Sequence, residues 1–127
     1  MDDIVDIPFY RDAIAHNSFD AHWRDYSMKG RYTDVEAPAL FLTGWYDNLL
    51  HETFKLFTGW TSDAGEPARS RTKLIVGPWD HGNIYSTDTL GPVEFGDAPR
   101  LDMTAEHLRW YDGRLKGIEN GIDDEPP

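Results

Sequence analysis

The 127-residue sequence contains no cysteine. That absence excludes disulfides, thiolate nucleophiles and Cys-based zinc sites, and it leaves the redox compartment open. Positive charge is also scarce: 12 Lys and Arg stand against 23 Asp and Glu, a formal net charge of −11. A surface of that sign repels phosphate backbones and anionic lipid, so neither nucleic acid nor a membrane surface is expected as a partner. No stretch approaches the ~20 consecutive apolar residues of a membrane span. The opening "MDDIVDIPFY" is acidic where a secretory signal is basic and then apolar. A soluble, cytoplasmic protein is the default expectation.

What is present points to a packed domain. Aromatic residues are plentiful, with Trp 5, Tyr 6 and Phe 6. At this length roughly two-thirds of the unfolded chain's surface can be buried. The first third of the sequence reads as irregular, with Asn17 and Ser18 able to cap a short helix in "NSFDAHWRDYSM". "PALFLTG" (38–44) is a continuous apolar run that ends in glycine, the pattern of a parallel strand covered on both faces. "NLLHETFKLFTGW" (48–60) changes period: Leu49, Leu50, Thr53, Phe54, Phe57 and Trp60 share one helical face, opposite Glu52 and Lys55. "TSDAGEPARS" (61–70) reads as a loop, and "TKLIVG" (72–77) as a second strand. A Gly/Pro-rich loop from 78 to about 100 is longer than a compact domain carries without a role. "LDMTAEHLRWYDGRLKG" (101–117) is the second clear helix, capped by Asp102, with Leu101, Leu108 and Leu115 at seven-residue spacing. The acidic run at 119–125 reads as a solvated tail.

Strand, helix, strand, helix implies a parallel strand pair with a crossover helix. Two such strands leave edges unpaired, so self-association is expected. In parallel sheets the crevice beyond the strands' C-terminal ends holds the site. Asp47, in "GWYD", follows the first strand, and His81, in "GPWDHG", follows the second. Adjacent strands would let the carboxylate meet the imidazole. A carboxylate on Nδ1 fixes the tautomer and stabilises the imidazolium formed when His accepts a proton. Asp then His, each after a strand, is the order in which the α/β-hydrolase triad ends. Asp and His in loops also commonly just cap turns, and Asp80 is a rival partner for His81.

"PALFLTGWYDNLL", "TKLIVGPWDHGN" and "LRWYDGRLKGIENGIDDEPP" resemble the serine hydrolases related to cocaine esterase and Xaa-Pro dipeptidyl-peptidase. "IPFYRDAIAHNSFDAHWRDYSMKGRYTDVEAP" resembles the same family where its cap region returns to the hydrolase core. The resemblance implies an α/β fold and, more narrowly, part of an α/β-hydrolase core. It implies Asp47 as triad acid and His81 as general base, with no metal or organic cofactor. The substrates implied are esters, amides and peptides of the Xaa-Pro type. By the same match, residues 1–37 connect cap to core, 38–117 form the C-terminal part of the core, and 118–127 lead towards a β-sandwich domain.

The nucleophile is missing. Ser18, Ser27, Ser62, Ser70 and Ser86 are the serines, and none stands in G-x-S-x-G. The chain is therefore expected to be inactive alone and to depend on the remainder of the hydrolase: nucleophile half, cap and β-sandwich. The competing reading is a non-catalytic acidic βα module that pairs with a partner chain through its sheet edges. Trp45, Tyr46 and Trp79 flank the pair and read either as core or as a substrate-pocket wall. "HETF" is not H-E-x-x-H, so His51 and Glu52 read as a solvated helix side, and no metal is expected. His16, His22 and His107 read as structural, with Asp20 and Trp23 fixing the first segment.

Overall fold

A computed structural model describes residues 8–84, 88–97 and 99–127. The chain divides into two units, residues 1–31 and 32–127. In the first unit, α1 spans Pro8–Ala15 and α2 spans Ala21–Arg24. The expectation of an irregular segment therefore missed α1, a helix with no buried residue. Proline at its first position is pre-set for helical φ and has no N–H to leave unpaired. The cap of α2 is Asp20, whose carboxylate accepts from the His22 N–H, and not Asn17 or Ser18.

The second unit is built on two parallel strands, β1 (Leu40–Gly44) and β2 (Lys73–Gly77). Their register pairs Leu40 with Lys73 and ends on the glycine pair Gly44 and Gly77. Between them run α3 (Leu50–Asp63) and α4 (Ala68–Arg71). The stretch read as a loop at 61–70 thus holds the end of one helix and most of another. Thr72, fully buried, ties α4 to the sheet: its hydroxyl donates to the Ala68 carbonyl and accepts from the Ala39 N–H.

The aromatic face of α3 lies against β1, with Phe41 edge-on to both Phe57 and Trp60. Gly59 on that face admits the Tyr32 ring, which a Cβ there would meet at 2.3 Å. The strand residues Leu40–Leu42 and Leu74–Val76 are half-buried, less covered than their continuous apolar run suggested.

The long loop after β2 contains a small hairpin, β3 (Thr89–Leu90) with β4 (Val93–Glu94), turning at Gly91 in the left-handed region. Helix α5 (Met103–Leu115) follows, and Asp102 caps it by accepting from the Ala105 N–H. Its buried residues are Met103 and Trp110. Leu108 and Leu115, noted for their seven-residue spacing, are exposed, and Met103 and Trp110 form the buried stripe.

The tail is not simply solvated. Ile122 is buried, Asp123 binds Arg114, and Glu125 binds Arg109. Lys73, at the start of β2, donates to the carbonyls of Glu125 and Pro126. Hydrogen bonding to Arg109 holds the Glu125 carboxyl below its ordinary value.

Candidate active site

The C-terminal ends of β1 and β2 are joined by backbone. The Trp45 N–H donates to the Gly77 carbonyl at 2.9 Å, and the Tyr46 N–H to the Trp79 carbonyl at 3.1 Å. This approach is possible only because residue 44 is glycine: a Cβ there would lie 1.9 Å from the Trp79 carbonyl oxygen. Gly77 is required on the other side, where a Cβ would lie 2.4 Å from the Trp79 indole. The two turns are therefore one structure, held by hydrogen bonds across two glycines.

That structure brings Asp47 and His81 together. His81 Nδ1 lies 3.1 Å from Asp47 Oδ1. The Asp47 side chain is 3 % exposed, whereas that of His81 is 59 % exposed. A buried carboxylate must be satisfied by donors. Asp47 receives the Leu49 N–H on Oδ1 at 2.8 Å and the Thr43 hydroxyl on Oδ2 at 3.3 Å, besides the imidazole. A carboxylate offers only acceptors, so the imidazole donates Nδ1–H and keeps Nε2 as an acceptor. The arrangement can fix the imidazole tautomer from behind while most of the ring stays exposed.

Asp80, the rival partner, is occupied elsewhere. Its Oδ1 accepts from the backbone N–H groups of Gly82 and Asn83, each at 2.9 Å, and so folds the turn that carries His81. Trp45 and Tyr46 are exposed beside the pair; Trp45 stands edge-on to Phe54, and Tyr46 packs near Phe95. Trp79 is buried at 3 % exposure and donates Nε1–H to the Pro99 carbonyl, so its ring packs beneath the loop and offers little surface to a ligand.

Thr43 and the Leu49 N–H are the site groups that sequence reasoning did not single out. The signal was a hydroxyl four residues before the carboxylate in "TGWYD", across a tight turn in which the Asp47 N–H reaches the Gly44 carbonyl.

His51 and Glu52 are exposed on α3, with Glu52 paired to Lys55, and His107 is exposed on α5. His16 and His22 stack at 4.3 Å in the N-terminal unit, where Trp23 donates to the His16 carbonyl. Ser86 lies outside the described residues. Among the described residues, no group of three or more His, Asp or Glu could hold a metal ion, and no helix is long and apolar enough to cross a membrane.

Two parallel strands joined through helices make this an α/β arrangement, with a buried carboxylate and an exposed imidazole at the C-terminal rim of the strands. The sequence profile of the X-Pro dipeptidyl-peptidase (S15) family matches residues 3–83, and the chain belongs to that family of α/β-hydrolases. Cocaine esterase of Rhodococcus sp. (strain MB1 Bresler) is 29% identical over 124 residues, 94% of this chain and 20% of that protein. Proteins assigned as serine esterases in Mycobacterium bovis and Mycobacterium tuberculosis are each 30% identical over 107 residues, 84% of this chain and 14% of theirs. The chain thus corresponds to a small part of longer hydrolases, and these matches weigh against the reading as an interaction module.

Proposed function

We propose that this chain supplies the acid and the general base of a serine hydrolase that cleaves ester, amide or Xaa-Pro peptide bonds. The observation that carries the reading is the contact between His81 Nδ1 and the buried Asp47 carboxylate at 3.1 Å. In the proposed reaction a serine hydroxyl, contributed from outside these residues, gives its proton to His81 Nε2 as its oxygen attacks the acyl carbonyl. The imidazolium is stabilised by Asp47 and then protonates the leaving group. A water activated by His81 completes the second half. Trp45 and Tyr46 border the pair and would contact the substrate. Residues 1–37 would link cap to core, 38–117 complete the core, and 118–127 lead on to a β-sandwich.

No sequence within the chain meets the nucleophile-elbow pattern, so residues 1–127 alone are expected to turn over no ester. Fluorophosphonate labelling tests the assignment, using a longer hydrolase in which these residues stand in context. Wild type should label rapidly and His81→Ala hardly at all, and equal labelling of the two would remove His81 as the base. The unpaired outer edges of the two-stranded sheet favour self-association of the isolated chain. Light scattering should show species larger than a monomer, and a folded monomer at high concentration would contradict this.

A further inference from the structure

We infer that Thr43 is a positioning residue for the pair: its hydroxyl fixes the rotation of the Asp47 carboxylate and thereby the tautomer of His81. The inference rests on the reading of Asp47 and His81 as acid and base. A carboxylate held by one donor can still turn about that contact. Asp47 is held on both oxygens, by the Leu49 N–H on Oδ1 and by the Thr43 hydroxyl on Oδ2. Together these define the carboxylate plane, and the remaining acceptor site of Oδ1 then faces His81 Nδ1.

The surroundings leave the hydroxyl no substitute. Thr43 is fully buried at the penultimate position of β1, and the Asp47 side chain is nearly so. Water therefore cannot readily take the place of the hydroxyl at Oδ2. Placement on a strand adds rigidity, because β1 is locked to β2 over the register from Leu40 to Gly44. Sequence position reinforces the geometry: the tight turn Gly44–Asp47 folds the carboxylate back over the strand that carries the hydroxyl.

The test reads the imidazole itself, on the full 127-residue chain, through the nitrogen-15 shifts of His81 at a pH where the ring is neutral. Wild type is expected to show the Nδ1–H tautomer. Thr43→Val keeps the shape and removes the hydroxyl, and should shift the ring towards the Nε2–H form. Thr43→Ser should restore the wild-type pattern, which a purely packing role would not. Asp47→Asn serves as the reference. If Asp47→Asn leaves the tautomer unchanged, the acid–base pair itself is wrong and the positioning role goes with it. If Asp47→Asn shifts the tautomer and Thr43→Val does not, the pair stands and the Thr43 inference alone is overturned. If Val and Ser shift it equally, the side chain's shape rather than its hydroxyl is responsible, and the inference is again overturned. Should Thr43→Val not fold, the unsubstituted chain still decides. A Thr43 hydroxyl proton protected from solvent exchange supports the role, and one exchanging at the rate of a free hydroxyl overturns it.

Discussion

Among the described residues, two contacts join a histidine Nδ1 to an aspartate, and they differ in nearly every respect but chemistry. His16 and Asp20 meet at 2.6 Å, closer than His81 and Asp47 at 3.1 Å. Yet the shorter contact is local, one turn of chain apart, with side chains 37 % and 40 % exposed. The longer one joins residues from two strand ends, with its carboxylate 3 % exposed and its imidazole 59 % exposed. Asp20 also caps α2, and the His16 ring is stacked on His22. On the proposed reading, proximity alone does not mark an acid–base pair. What distinguishes the 47–81 pair is an acid removed from water behind a base open to it.

The largest break in this comparison comes from charge removal. In a hydrolase carrying these residues, Asp47→Asn should lower kcat by about 10⁴-fold through the wrong tautomer. Asp20→Asn should leave kcat close to wild type. Steady-state ester hydrolysis measures both, and similar losses for the two would erase the distinction.

Next comes the backbone that joins the two strand ends. Gly44→Ala forces a methyl group onto the Trp79 carbonyl and should destabilise the chain by about 3 kcal/mol. Gly30, in the N-terminal unit, has open space around it and a φ of +79°, so Gly30→Ala should cost only about 1 kcal/mol. Denaturant midpoints compare them, and equal shifts would mean that the close approach at Gly44 carries no special weight.

A smaller effect is expected from Trp79→Phe, which strands the buried Pro99 carbonyl by removing the indole donor. The loss should be about 1–2 kcal/mol, read as a lower melting temperature, with His81 tautomer retained.

The smallest effect belongs to the exposed pair. The hydrogen bond from His16 holds the Asp20 carboxyl below its ordinary 3.8. A depressed carboxylate pKa means stabilisation that is present above the unfolded value and is lost as pH falls through the folded one. Carbon-13 titration of Asp20 should show the depression, and His16→Ala should return the group towards its ordinary value. An unchanged titration in that variant would show that His16 is not the cause.

The parts of this architecture that were legible in sequence are those set by short-range pattern. The apolar runs 38–44 and 72–77 gave strands, and the change to helical period at 48–60 gave α3. Because parallel strands aim their ends the same way, Asp47 and His81 could be placed on one rim without a structure. The misses have physical reasons. Helix α1 has no acidic residue in its first turn and no basic residue in its last, so the charge signals of a helix are missing there. The acidic tail looked solvated because its partners, Arg109 and Arg114, lie on α5, and pairing across a fold has no local signature. The leucine spacing in α5 marked the helix but not its buried side, which Met103 and Trp110 occupy. Thr43 passed as strand filler, since only the folded turn places its hydroxyl on the acid.

The absence of a side chain at residue 44 has a consequence for protein engineering and for descent alike. Because the Trp79 carbonyl occupies the volume that a methyl would need, segments 44–47 and 77–81 constrain each other's choice of residues. Grafting either segment alone into a related scaffold should yield a misassembled rim, whereas moving both as a single cassette should carry the Asp47–His81 contact across intact.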